Sequence, residues 1–325
     1  MNGLRRLSLF GLVIAALHLV FGAIVRITGS GMGCGDHWPK CYGRWFPPLD
    51  RPDLIIEISH RYLAALLVFT LLALVIAAIR ARSASGVGGR GGVLRASGAA
   101  LALVVSAAVF GGITVKLGNA PYATAVHWLI AALTIAAVAT TVIRTGALGG
   151  ARALAETASG RTRRAAMAAA GIGLVVVMLG GLTAKVPGAA WGCLGFPLCN
   201  GALLPSLPAQ HLQMTHRLFA ILLFFHVAGL TRGVAKRGES PVVRAAVYTT
   251  MGLIALQILV AAVMVSTVLP AALRSAHQAI GVAIWVSLVA AAYLARIASG
   301  TSAIGAREGA ASPTAHRALA DGAIT

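Results

Sequence analysis

The chain has 325 residues, 58% of them hydrophobic and only 11% charged, with a formal net charge of +19. That composition excludes a water-soluble globular domain and makes the lipid bilayer the solvent. The basic residues lie between apolar runs, not along an extended surface, which argues against nucleic acid as a partner.

Eight segments of about 20 residues are predicted to cross ~30 Å of hydrocarbon as helices: roughly 8–28, 58–79, 95–116, 122–143, 165–184, 212–231, 245–268 and 275–296. Their Ala, Leu and Val content and lack of period-2 alternation argue against a β-barrel. No small-residue cleavage site follows the first span, so it is read as retained. The loop after it carries Gly29-Ser30-Gly31-Met32-Gly33, then Cys34 and Cys41. That glycine run lacks the Lys-Ser/Thr of a phosphate loop and reads as a tight turn. The second span opens on Glu57-Ile58-Ser59-His60-Arg61, the third ends at Lys116, and the fourth opens near His127. A basic, Ala/Gly-rich linker covers 144–164. The fifth span ends at Lys185, and Cys193 and Cys199 lie in the loop beyond it. The sixth opens on Gln213-Met214-Thr215-His216-Arg217, and the eighth opens with Arg274 and His277. After about residue 298 the chain is polar and rich in small residues, the signature of a disordered tail.

Of the 27 Lys and Arg residues, 18 fall at the N-terminus, in the even-numbered connections or at the C-terminal end. The positive-inside rule makes that face cytoplasmic, with both termini inside a multi-pass plasma-membrane protein.

The two halves repeat. Gly22 to Arg26 aligns with Gly181 to Lys185, Cys34 with Cys193, Cys41 with Cys199, His60-Arg61 with His216-Arg217, and His127 with His277. Four spans per copy give both copies the same orientation. The expected fold is an all-α integral membrane protein whose eight transmembrane helices form two parallel-repeat four-helix bundles. Residues 1–150 form one, 151–300 the other, and 301–325 a cytoplasmic tail.

Both cysteine pairs lie in outer loops, on the oxidising side, where disulfides persist. The spacing lacks the C-x-x-C pattern of a zinc site, and does not decide between inert staples and redox-active bridges. Each half carries one His at the outer start of its second helix (His60, His216) and one at the outer start of its fourth (His127, His277). Two imidazoles at equal depth on different helices of a bundle suit the axial positions of haem iron. The bland alternative is hydrogen-bonded glue between helices. His18 and His226 align with Val177 and Thr70 and read as structural, as do His37, His211 and His316 in loops or tail. Arg26, Arg61, Lys116, Lys185, Arg217 and Arg274 ring the outer ends and suit haem propionates, or lipid phosphates. Glu57 lies one turn outside His60 and could act on the macrocycle edge or pair with Arg61; its repeat counterpart is the uncharged Gln213.

The run from Gly22 through Gly29-Ser30-Gly31-Met32-Gly33-Cys34, the Trp38-Pro39-Lys40-Cys41 segment and Glu57-x-x-His60-Arg61 resemble the heme A synthase family, over residues 5–297. The resemblance implies oxidation of the haem O C8 methyl to formyl by successive hydroxylations, giving haem A for terminal oxidases. It implies substrate haem between His60 and His127, resident haem b between His216 and His277, and a requirement for Glu57. It assigns the loop cysteines to redox exchange or structure. It further points to association with heme O synthase, admits a homo-oligomer, and leaves the electron acceptor unspecified. The rival reading is a two-haem b-type electron-transfer cytochrome, which uses the same histidines but does not account for Glu57 in one half alone. A transporter would need broken helices with polar groups at mid-membrane.

Overall fold

The computed structural model describes residues 1–320 in backbone and 1–300 in side chains. Eight of its helices are long and apolar enough to cross a membrane: α1 (Asn2–Ile27), α2 (Pro52–Arg80), α3 (Val93–Lys116), α4 (Pro121–Arg144), α6 (Gly160–Lys185), α7 (Pro208–Lys236), α8 (Pro241–Ser266) and Ala271–Gly300 of α9 (Ala271–Ala320). A short α5 (Gly150–Ala153) lies in the linker. The shortest spans have 24 residues, about 36 Å at 1.5 Å per residue. The helices start earlier than hydropathy alone predicts, by as much as six residues at α2. The reason is chemical: α2, α4, α7 and α8 each begin on a proline, whose fixed φ and missing N–H suit the first helical position. The backbone of α9 continues past residue 298, where the sequence predicts the ordered part to end; residues 321–325, the end of the expected tail, lie outside the described residues.

In the first half α1 packs on α2, α2 on α3, α3 on α4 and α4 back on α1; in the second, α6, α7, α8 and α9 close the same ring. The rings meet through α4 on α9, flanked by α1 on α9 and α4 on α6. Because α4 and α9 are equivalent in the repeat, this seam is what a pseudo-twofold axis along the membrane normal requires. Trp285 of α9 donates its indole N–H to the Ala132 carbonyl of α4 across the seam at 2.8 Å. The Trp128 ring lies against Gly181, where an added Cβ would fall 2.7 Å from it. Only 17–44% of each apolar window is buried, so most of it faces outward, as a helix solvated by lipid tails requires.

The linker is packed rather than loose. Gly149, at φ +86°, brings its backbone so near Val242 that a Cβ would sit 2.4 Å from that side chain. Glu239, in the α7–α8 connection, accepts from the Ser159 N–H at 2.9 Å, from the Ser159 and Thr162 hydroxyls, and from Arg237. Burial alone would raise the Glu239 carboxyl; the Ser159, Thr162 and Arg237 contacts outweigh it and hold the group below its ordinary value. A depressed carboxyl stabilises the fold at neutral pH, and that stability is lost as pH falls through the acid range. Glu239→Ala should lower unfolding stability in detergent by about 1–3 kcal/mol at pH 7, and the deficit should shrink on acidification. Thermal melts at several pH values check this.

Candidate active site

The two cysteine-bearing loops, after α1 and after α6, are built alike. Disulfides join Cys34 to Cys41 and Cys193 to Cys199. Each second cysteine opens a two-residue turn: Cys41 and Arg44 exchange backbone bonds at 3.0 Å, as do Cys199 and Ala202 at 3.0 and 2.9 Å. The turn centres, Tyr42-Gly43 and Asn200-Gly201, all have positive φ, the type I′ geometry that favours glycine.

Arg61 and Arg217 fasten these loops to the bundles. Arg61 Nη1 donates to the carbonyls of His37, Pro39 and Lys40 at 2.9, 2.9 and 3.2 Å. Arg217 Nη1 donates to those of Gly195, Pro197 and Leu198 at 2.7, 2.9 and 3.1 Å, and its Nη2 to Cys193 at 2.9 Å. These side chains, which the sequence reading aimed at propionates, thus hold backbone carbonyls. Glu57 is 4% exposed. One oxygen accepts the Cys34 N–H at 2.8 Å and the other pairs with Arg61. Gln213, 6% exposed, instead donates Nε2 to the Cys193 carbonyl at 3.2 Å, and its Oε1 has no partner. The repeat therefore reverses polarity at this position: the first loop presents a donor to a carboxylate, the second an acceptor to an amide and an arginine.

The imidazoles seat against neighbouring helices by a shared device. His127 Nδ1 donates to the Ala107 carbonyl at 3.0 Å, and Gly111, one turn on, leaves room for the ring: a Cβ there would lie 3.3 Å from Cε1. His216 Nδ1 donates to the Val176 carbonyl at 3.1 Å, with Gly180 one turn on and a virtual Cβ at 2.9 Å. A proton fixed on Nδ1 leaves the Nε2 lone pair for a metal. His60 lies against Gly22 with a virtual contact of 3.0 Å, but its Nδ1 has no partner. His277 Nδ1 likewise has none; Gln257, the repeat counterpart of Ala107, donates to the His277 carbonyl at 2.9 Å. Among the described residues no three His, Cys, Asp or Glu gather as a metal site. Two imidazoles per bundle are too few protein ligands for a bare zinc ion, yet match an iron that brings four macrocycle nitrogens. The donor chemistry, the glycine notches and the buried, unpartnered His60 and His277 nitrogens fit a haem in each bundle.

The remaining cations divide. Arg26 lies within electrostatic reach of Arg274, Lys185 and His277, so α1, α6 and α9 bring three cations together at the outer end of the seam. Arg274 Nε is buried without a partner. Lys116 sits apart and pairs with Asp36 of the first loop at 3.5 Å. Sequence reasoning missed that pair, the Asn119 bond to the Gly31 carbonyl at 2.7 Å, and the stacking of His18 on His60. The one signal for His18 was its position four residues before Gly22, on the same helix face.

Fold and site together define an eight-span membrane protein with two histidines of this kind in each of two bundles and a disulfide-closed loop on each. The family model described as COX15-CtaA, cytochrome oxidase assembly protein, matches residues 5–289, and the chain belongs to that family. Similar proteins include "Heme A synthase" of Geobacillus kaustophilus, 29% identical over 261 residues, covering 80% of this chain and 81% of the relative. The "Heme A synthase" of Geobacillus thermodenitrificans is 29% identical over 267 residues with the same coverage. "Protoheme IX farnesyltransferase" of Thermus thermophilus is 30% identical over 294 residues, which are 83% of this chain and 45% of that protein.

The clamps generate a prediction. Arg217→Ala releases four carbonyl contacts, so limited proteolysis from the outer side should cut the 186–207 loop faster than in the unaltered chain. In the latter, all four cysteines should resist maleimide until a reductant is added.

Proposed function

We propose that this chain is a haem A synthase, an oxidoreductase that converts the C8 methyl of haem O into the formyl group of haem A. Two hydroxylations of that methyl, each a two-electron oxidation whose electrons leave to an acceptor outside this chain, give a geminal diol, which loses water to leave the aldehyde. The observation that carries the reading is the asymmetry of the twin sites: equivalent histidine pairs and clamped loops, with a buried carboxylate over one pair and an amide over the other. Family membership and the relatives named for this activity support it. An electron-transfer cytochrome needs two haems but has no use for that asymmetry.

His60 and His127 hold the substrate haem O in residues 1–150. His216 and His277 hold a resident haem b in residues 151–300, which supplies one-electron chemistry when bound. Nδ1–H bonds to the Ala107 and Val176 carbonyls set the tautomers of His127 and His216 and leave Nε2 as the ligating nitrogen. Glu57 lies one helical turn outward of His60, where it stabilises positive charge at the ring edge or takes a proton from attacking water. Arg61 pairs with it and fixes its aim, and the Cys34–Cys41 bridge keeps the loop closed over it. Arg26, Lys185 and Arg274 neutralise propionates at the seam, while Arg61, Arg217 and Lys116 add positive charge around the loops away from it. The protein lies in the plasma membrane with both termini cytoplasmic. Its substrate comes directly from a haem O synthase, because passing so apolar a macrocycle through water is unfavourable. The Thermus relative, named for farnesyl transfer and more than twice as long as its matched part, supports such a pairing.

Expressed with a haem O source, the chain should yield haem A in extracted pigments. Glu57→Gln should retain bound haem while accumulating haem O or a hydroxylated form; undiminished haem A would remove Glu57 from the chemistry. His216→Ala should abolish the haem b spectrum, and an unchanged spectrum would move the resident site elsewhere.

A further inference from the structure

The four imidazoles are not oriented alike. His127 and His216 are pinned through Nδ1 to a carbonyl of the adjacent helix, whereas His60 is not. Its ring instead lies face to face with His18 of α1, centroids 4.2 Å apart and planes 9° from parallel. Phe21 is also nearly parallel to His60, at 6.4 Å and 13°. His18 Nδ1 too is buried without a partner, so the contact between the rings is through their faces. The second copy has Val177 and Gly180 where the first has His18 and Phe21. Gly180 is what lets His216 approach its carbonyl; Phe21 stands in the equivalent place beside His60.

We propose that His18 is a positioning residue for substrate binding: by stacking on His60 it sets the plane of that imidazole, the task a backbone carbonyl performs for His127 and His216. The proposal rests on His60 being the ligand to the substrate haem. An imidazole hinged at Cβ swings about χ1 and χ2, and a ligand held without a hydrogen bond needs another surface to define its plane. His18, Phe21 and Gly22 form that surface on one face of α1. Two parallel rings 4.2 Å apart cannot both ligate one iron, so His18 acts through His60 and not in its place. This also gives a reason for a half-buried histidine in one half where the other has valine.

The test uses the full-length chain, loaded with its resident haem in detergent and titrated with haem O. His18→Val installs the residue found at the equivalent place in the second copy, and His18→Phe keeps a flat face without ring nitrogens. His18→Val should weaken haem O binding about two- to tenfold, the range expected for losing one stacked aromatic pair. It should also shift the low-spin electron paramagnetic resonance line of the added haem, which reports the planes of its axial imidazoles. His18→Phe should restore both, with resident haem b absorbance and thermal stability unchanged throughout. Wild-type affinity and line position in His18→Val would overturn the proposal. So would equal impairment in both variants, since the ring face would then not be what matters. His60→Ala separates this from the underlying reading: if it binds haem O with an unaltered low-spin line, His60 is not the ligand, and the premise itself fails.

Discussion

Hydrocarbon offers a polar side chain no water, so each must be held by protein or turned toward a bound group. The seating of the imidazoles is the most demanding case. A helix can present a carbonyl sideways only where the next turn carries no bulk, and Gly111 and Gly180 supply that gap for His127 and His216. Close helix approach at small residues, common in membranes generally, is used here to aim rings. Each bond needs its two helices side by side, α3 beside α4 and α6 beside α7, and both pairs pack closely.

The outer loops impose the second constraint. Each is a long irregular segment lying above the bilayer, and each is drawn onto its bundle by one arginine that gathers three or more carbonyls. A guanidinium suits this task because its planar fork carries five donors and never loses its charge. In the first half the same arginine also pairs with Glu57, so loop closure and the candidate catalytic carboxylate share one network. In the second half Gln213 and Arg217 both reach the Cys193 carbonyl, and the network carries no acid. The repeat supplies two equivalent frames, and Glu57 against Gln213 gives only one of them an acid at this position.

Much of this was legible in the chain itself. The spans, the cysteine pairs that form the two disulfides and the twofold repetition of His-Arg all follow from composition and spacing, because hydrophobic length and internal repetition are properties of the string. The helix starts at Pro52, Pro121, Pro208 and Pro241 were legible too, but hydropathy weighs a polar first turn as loop. The carbonyl bonds of Arg61 and Arg217 were not, because their partners lie some 20 residues away along the chain. Lys116 was grouped with the ring of cations although a loop carboxylate, Asp36, stands within reach of it.

What the sequence alone determined was the solvent, the eight crossings, the duplicated frame and one charge difference between the copies, Glu57 against Gln213. What only the tertiary structure decided was which groups share a face across helices: His18 on His60, Trp128 on Gly181, and three cations of α1, α6 and α9 at one seam. The reason is physical. Periodicity in a sequence tells which side of a helix is apolar, but in lipid nearly every side is, so the amphipathic signal that orients helices in water is missing. Which helix a given face meets is then settled by the fit of small and large side chains in three dimensions.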